Sequence, residues 1–414
     1  MRADRVCTRS ISTLAIFTLS LLMTATAAGQ EKVLHNFDSN GRDGLFPTAS
    51  LIFDSVGNVY GTTSQGGAYT EGTVFELIRA ASGSWTEKVL HSFNDNGEDG
   101  YGPSAGLIFG PSGNLYGTTY SGGAYGYGTV FELSPDPDGS WTEKVLHNFM
   151  NNGAEGISPF AALIFDVKGN LYGTTAQGGS GNGGTVFELA PTAGGSWTET
   201  VLFSFSDNSG TGGYSPVAGL IFDASGNLYS TTLRGGAYGY GTVFELIPTA
   251  GGSWTEKVLH DFNGGGNDGN SPYAGLIFDP LGNLYGTTAE GGDHGYGTVF
   301  VLVPTRRKGW AEKVLHNFDD NGSDGADPNA GVIFDASGNL YGTTAIGGTH
   351  DNGTVFELLP TAGGTWTEQV LHRFDGTDGQ NPNSAVIFDP GGNLYGTTLN
   401  GGTHNVGTVF ETRP

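Results

Sequence analysis

The chain of 414 residues has a single cysteine, Cys7, near its N-terminus. Beyond that stretch no disulfide or thiolate metal site can form, whatever the redox compartment. Positive charge is also scarce, with 17 Lys and Arg against 41 Asp and Glu and a formal net charge of −24. So acidic a surface repels nucleic acid and anionic membranes, and neither is expected as a partner. After Ala28 no apolar run is long enough to cross a bilayer, so membrane insertion is not expected. Sustained helical periodicity is absent too, which argues against helical bundles and α/β folds.

The segment 1–28 reads as a secretory signal peptide. Arg2, Arg5 and Arg9 form a basic start, Ile11 to Met23 is mostly apolar, and Ala25 to Ala28 offers small residues for cleavage. Its removal would take away those arginines and Asp4, leaving 14 basic against 40 acidic residues, a net of −26. The expected location is secreted or periplasmic.

Repetition dominates the remainder. A T-V-F strand recurs, almost evenly spaced, with Val74, Val130, Val186, Val243, Val299, Val355 and Val409. A W-T-E-K-V-L-H-x-F segment recurs with Trp85, Trp141, Trp197, Trp254, Trp310 and Trp366, which are all six tryptophans. Its seventh copy, Glu31 to Phe37, stands alone before the first full unit. Each unit holds four short runs rich in apolar, β-branched and aromatic residues, separated by turn signals. D-x-x-G-N joins the first two runs, as in Asp54 to Asn58, with Asp expected to bond back to the turn amides. G-G-x-x-x-x-G joins the second and third.

Four antiparallel strands repeated seven times predict an all-β fold, a seven-bladed β-propeller occupying residues 29–414 as one domain. Residues 31–37 are expected to complete the last blade against strands within 382–412, which removes the exposed sheet edges.

Within each unit the recurrent residues read first as structural. His35, His91, His147, His260, His316 and His372 occupy one strand position, with Phe203 in the remaining copy, a pattern that suits packing and hydrogen bonding. The tyrosines of L-Y-G-T-T, such as Tyr60 and Tyr116, read as blade packing. Glu132, Glu143 and Lys144 are expected to face solvent and form weak cross-strand ion pairs.

The run Leu220 to Leu246, L-I-F-D-A-S-G-N-L-Y-S-T-T followed by G-G-A-Y-G-Y-G-T-V-F-E-L with two intervening residues, resembles the GloVer tandem-repeat proteins, a bacterial "choice-of-anchor" group. The resemblance covers essentially the whole mature chain. It implies an exported, repetitive, propeller-like protein and supplies no activity. Such groups often carry a C-terminal sorting segment; the chain ends at Pro414 without one, so a soluble secreted or periplasmic protein is expected.

Two loop sets should share one face. Loops entering each blade, such as Asp38 to Gly44, Asn94 to Gly100 and Asp319 to Gly325, are rich in acids but lack the alternate spacing of a calcium loop, and they read as solvated turns. Loosely bound calcium is the only cofactor they suggest. In the G-G-x-x-x-x-G loops the fourth position reads Tyr69, Tyr125, Gly181, Tyr238, His294, His350 and His404 around the ring, and Tyr127, Tyr240 and Tyr296 follow two residues later. Exposed aromatics can stack on sugars or grip a peptide. Three histidines can bind zinc, but equivalent loops of neighbouring blades stand on the order of 10 Å apart, about two strand spacings, so these would have to lean inward to share it. The nine tyrosines and histidines are therefore taken as candidate ligand-binding residues, with covering of the blade edges as the structural alternative.

No nucleophile–base pair, metal-ligand triplet or cofactor fingerprint stands out, so no catalytic residue and no metal ligand is assigned. The reading favoured is a monomeric, non-catalytic binding or scaffold module for carbohydrate or an extracellular protein. Two alternatives stand beside it. One is a propeller hydrolase or lyase acting on a sugar polymer or lactone, with Arg234, Glu290, Asp293 and the loop histidines in one sector. The other is a purely structural envelope protein.

Overall fold

A computed structural model describes residues 31–207, 212–307 and 309–414. The proposed signal peptide lies outside these residues. Among the described residues there is no helix.

The first blade shows the plan. Ile52–Phe53 is its inner strand, followed outward by Val59–Thr63, Thr73–Arg79 and Trp85–Ser92, each antiparallel to the last. Asp54 Oδ1 closes the first turn by accepting from the amides of Val56 and Asn58 at 2.9 and 2.8 Å. Glycine at position 61 is required by packing, since a Cβ there would sit 2.6 Å from the Phe75 ring. Seven such blades form the propeller, the third extended by additional short strands. In the seventh, Ile387–Phe388, Leu394–Thr398 and Thr408–Thr412 are completed by Lys32–Asn36, paired from Lys32↔Glu411 to Asn36↔Thr408.

Every outer pairing carries a one-residue bulge. In the first blade Val89 lies opposite Phe75 but His91 lies opposite Val74, so Leu90 is the extra residue. Strand side chains alternate between faces, so one inserted residue changes which face the next residue meets. Glu87 therefore turns toward the preceding blade and His91 toward the following one. That reversal brings a His from one blade and a Glu from the next to the same junction.

The core lies between blades. Tyr60, Val74, Leu90 and Phe93 of the first blade pack with Leu107, Leu115, Phe131 and Leu133 of the second. The closing junction repeats this, with Phe37, Tyr395 and Val409 against Leu51, Val59, Phe75 and Leu77. Burying each large apolar side chain stabilises by about 1.5–3 kcal/mol.

The tyrosines of the second strand pack as expected and also carry a polar contact. Tyr60 meets Phe109 edge-on at 5.3 Å and donates its hydroxyl to Glu76 Oε1 at 2.8 Å. Burial and the Glu76 carboxylate both push the phenol upward.

The expected surface ion pairs are corrected by the structure. Glu132 accepts from Asn114 and Tyr116 at 2.6 Å each, while Lys144 donates to the Gly195 carbonyl of the next blade at 2.8 Å. Lys257–Glu245 at 2.8 Å is the one lysine–carboxylate pair among the described residues. Lys shares the face that meets the following blade, so its long stem reaches that blade's outer turn.

Candidate ligand-binding face

The entering loops and the loops between second and third strands lie on one face, as the strand order requires. Two-residue pairings such as Gly44–Leu45 with Gln65–Gly66 tie them together, an element too short to read from the sequence.

Entering loops are not simply solvated. Their final acid is buried in Asp43, Asp99, Asp268 and Asp324. Asp43 Oδ2 accepts from the Asp38 amide at 2.9 Å and meets His35 Nε2 at 3.2 Å, while Oδ1 accepts from the Gly44 amide at 2.7 Å. One carboxylate thus closes the loop and fixes the recurrent histidine. Each such histidine also packs edge-on against the phenylalanine two residues on, as His35 does against Phe37 at 4.7 Å.

All nine candidate residues are exposed. Tyr69, Tyr125, Tyr127, Tyr238, Tyr240 and Tyr296 present 54, 51, 37, 61, 46 and 37 % of their surface. His294, His350 and His404 are exposed as well. His350 Nδ1 lies 3.1 Å from Thr349 Oγ1, and His404 Nδ1 lies 4.0 Å from Asp38 Oδ1. Among the described residues these histidines join no group of metal-ligating atoms.

Inside this outer circle lies a ring that sequence reasoning missed. Each blade enters its inner strand through a corner of three residues with proline in the middle. The residue before proline has φ between 53° and 66° in all seven: Phe46, Gly102, Ser158, Ser215, Ser271, Asp327 and Asn381. A left-handed conformation is costly for any residue but glycine, and the following proline restricts it further. Hydrogen bonds hold the corners there. The amides of Ser158, Ser271 and Asp327 donate at 3.0 Å each to the carbonyls of Tyr127, Tyr240 and Tyr296 in the preceding blade. Three of the candidate tyrosines thus fix the inner ring through their backbone.

The residues after proline are Thr48, Ser104, Phe160, Val217, Tyr273, Asn329 and Asn383, and they line the mouth of a central cavity of about 330 Å³. None of the nine outer candidates lines it. Below the mouth the walls are small, because inner strands converge there: a Cβ on Gly331 would lie 3.2 Å from the Gly275 carbonyl. The mouth is asymmetric. Phe160 and Tyr273 are each 41 % exposed and flank Val217, and Tyr120 meets Phe160 edge-on at 6.0 Å. On the other side Asn329 Nδ2 donates to Asn383 Oδ1 at 3.4 Å. Beside Asn329, burial and then the neighbouring Glu290 carboxylate push the Asp327 carboxyl upward. The signal was present in the sequence, since the positions on either side of the proline change chemical class from blade to blade while the Pro itself and the small residue that follows recur.

Comparison with solved structures supports the architecture alone. The chain is similar to a putative 6-phosphogluconolactonase from Bacteroides uniformis, at 14 % identity and TM-score 0.50, over 78 % of this chain and 84 % of that one. It is also similar to an ancestral GH74 enzyme at 12 % identity and TM-score 0.58, over 90 % of this chain but only 48 % of the other. No curated protein matches the sequence. The Gloeobacter/Verrucomicrobia repeat matches residues 15–223, 137–320 and 305–414, so between them the matches span the propeller, and the chain belongs to that repeat family.

Proposed function

We propose that this protein is an exported binding module that takes carbohydrate at the mouth of its central channel. The observation that carries this reading is the asymmetry of the ring after proline. An apolar, aromatic arc of Phe160, Val217 and Tyr273 continues into an amide arc of Asn329 and Asn383 around one cavity mouth. Sugars present apolar C–H faces and hydroxyl edges, and an aromatic platform with a few placed amides complements both. The exposed tyrosines outside the mouth would extend contact along a longer chain, with repeated weak contacts adding by avidity. Export rests on the basic start and apolar run that precede Gly29.

A thermal-shift panel with soluble polysaccharides tests the reading. A ligand at about 100 times its Kd adds roughly 2.7 kcal/mol of stability, a readable shift. A rise with one polysaccharide that is lost in Phe160→Ala supports the site; a rise retained in that variant places binding elsewhere.

A hydrolase or lyase acting on a sugar polymer or lactone is the second reading. It is favoured by the Asp327 carboxyl, two residues before Asn329, which burial and then the Glu290 carboxylate push upward, since a raised acid suits general acid–base chemistry. The two structural neighbours, one a putative lactonase and the other a GH74 enzyme, are consistent with it at the level of fold. Turnover of the polysaccharide that binds, abolished by Asp327→Asn with binding intact, would select it.

A further inference from the structure

Six of the seven junctions between neighbouring blades gather a His from one outer strand, an acid from the entering loop and a Glu from the next outer strand; at the junction of the third and fourth, Phe203 replaces the His. In five of them the loop acid is Asp, and all but Asp99, whose Oδ1 has no partner, have both carboxylate oxygens engaged. Asp324 accepts from the amides of Asp319 and Gly325 at 3.0 and 2.6 Å and meets His316 Nε2 at 3.3 Å. The junction between the second and third blades differs. There the loop acid is Glu155, whose longer side chain leaves the backbone amides of its loop and carries Oε2 toward His147 and Glu199.

Three atoms at that junction are buried without a hydrogen-bond partner: Glu199 Oε1, a state its equivalents share in every blade, and His147 Nε2 and Glu155 Oε2, which set this junction apart. Among the recurrent histidines only His147 is left so. Each of these three side chains offers a ligand atom lying within 4.8 Å of the other two, a spacing shared by the triads at four of the Asp junctions. His147 Nε2 and Glu155 Oε2 are 3.5 Å apart. That is long for a hydrogen bond, yet it is close to the edge of a tetrahedron, roughly 3.4 Å, formed by ligands about 2.0–2.1 Å from a zinc ion. Two carboxylates and an imidazole converging on one point are compensated by a proton or by a cation, and a divalent cation satisfies all three atoms at once.

We infer that His147, Glu155 and Glu199 form a single divalent-cation site of the zinc class, which pins the second blade to the third. Nitrogen and carboxylate oxygen suit zinc or cobalt better than calcium, which prefers six to eight oxygens. Three protein ligands leave a fourth position for water or another small ligand. The Asp junctions bind less well, because their carboxylates already hold the loop amides and the histidine.

The test is zinc content of the full chain after chelator treatment and dialysis against zinc, with cobalt in parallel as a geometric probe. One zinc per chain is expected, with the intense visible absorption of tetrahedral cobalt. Glu199→Gln should abolish both. Glu155→Asp should restore the ordinary hydrogen-bonded junction and weaken zinc binding at least tenfold, with the circular dichroism of the parent. Absence of bound metal overturns the inference, as does one zinc that neither variant reduces. Five or six zinc ions per chain would overturn the singling out of this junction.

Discussion

Thr397 Oγ1, in the last blade, donates to the carbonyl of Ala49, in the first, at 3.3 Å across 348 positions of sequence. The same bond runs from Thr62 to Ala105 at 3.0 Å between blades that follow one another in the chain. The ring therefore closes with the contact that holds its consecutive blades. Closure depends on Lys32–Asn36, without which Thr408–Thr412 would be an unpaired edge.

Phe37 is fully buried between the last and first blades and meets the Phe75 ring at 5.2 Å. Phe37→Ala should cost about 3–5 kcal/mol, the range for buried aromatic truncation. Urea unfolding should show the midpoint fall with an unchanged slope. A variant as stable as the parent would refute closure by this segment.

Glu87 and Glu368 are raised from 4.5 to about 8, chiefly by burial and then by the carboxylates of Asp43 and Asp324. A folded-state value above the unfolded one means that the native protein holds the extra proton. Their contribution is full below about pH 4.5 and is lost as pH rises through about 8. The thermal midpoint should decline from pH 5 to pH 8.5, and Glu87→Gln should flatten part of that decline. A midpoint that rises over this interval would contradict the protonated junction.

Ser271 holds φ at 56°, where the second blade has Gly102 at 66°. Ser271→Gly should stabilise by up to about 1 kcal/mol by relieving the left-handed strain. Denaturant melts resolve this, and a loss of stability would show that the serine side chain contributes there.

Phe160 and Tyr273 stand exposed at the channel mouth. Replacing either with Ala should leave stability within about 0.5 kcal/mol. If the mouth is the binding site, either change should weaken a bound glycan about tenfold or more, as loss of an aromatic anchor does. Isothermal titration separates the two effects.

Tyr60 donates to Glu76 at 2.8 Å inside the blade, and Asn58 Nδ2 donates to the same oxygen at 3.1 Å. Tyr60→Phe keeps the ring on Phe109 and removes only the hydroxyl. The expected cost is about 1–3 kcal/mol, that of a charged acceptor losing a partner. Thermal unfolding of this variant reads it directly.

The strand runs, the D-x-x-G-N turn and the need for a closing strand were legible because each is local or periodic. Asp54 bonds back to Val56 and Asn58 within one turn, and spacing alone implies it. The bulge at Leu90 was not legible. Nothing in W-T-E-K-V-L-H marks the extra residue, yet it decides that His91 and Glu87 face opposite neighbours. Lys144 was misplaced for the same reason, since its partner lies in another blade. The exposed tyrosines were found by their recurring place in the G-G-x-x-x-x-G loops, whereas Phe160 and Tyr273 were missed because their position, next to proline, reads as a turn.

Repetition along the chain by itself determined the number of blades, their four strands and the strand borrowed by the last from the first. These follow because a regular repeat whose first and last copies are split has one arrangement that leaves no open edge. Tertiary structure alone decided what meets at the axis and at the junctions. Seven residues separated by whole repeats become one channel mouth, and His147, Glu155 and Glu199 become one cluster, because a ring brings corresponding positions together that no local pattern connects.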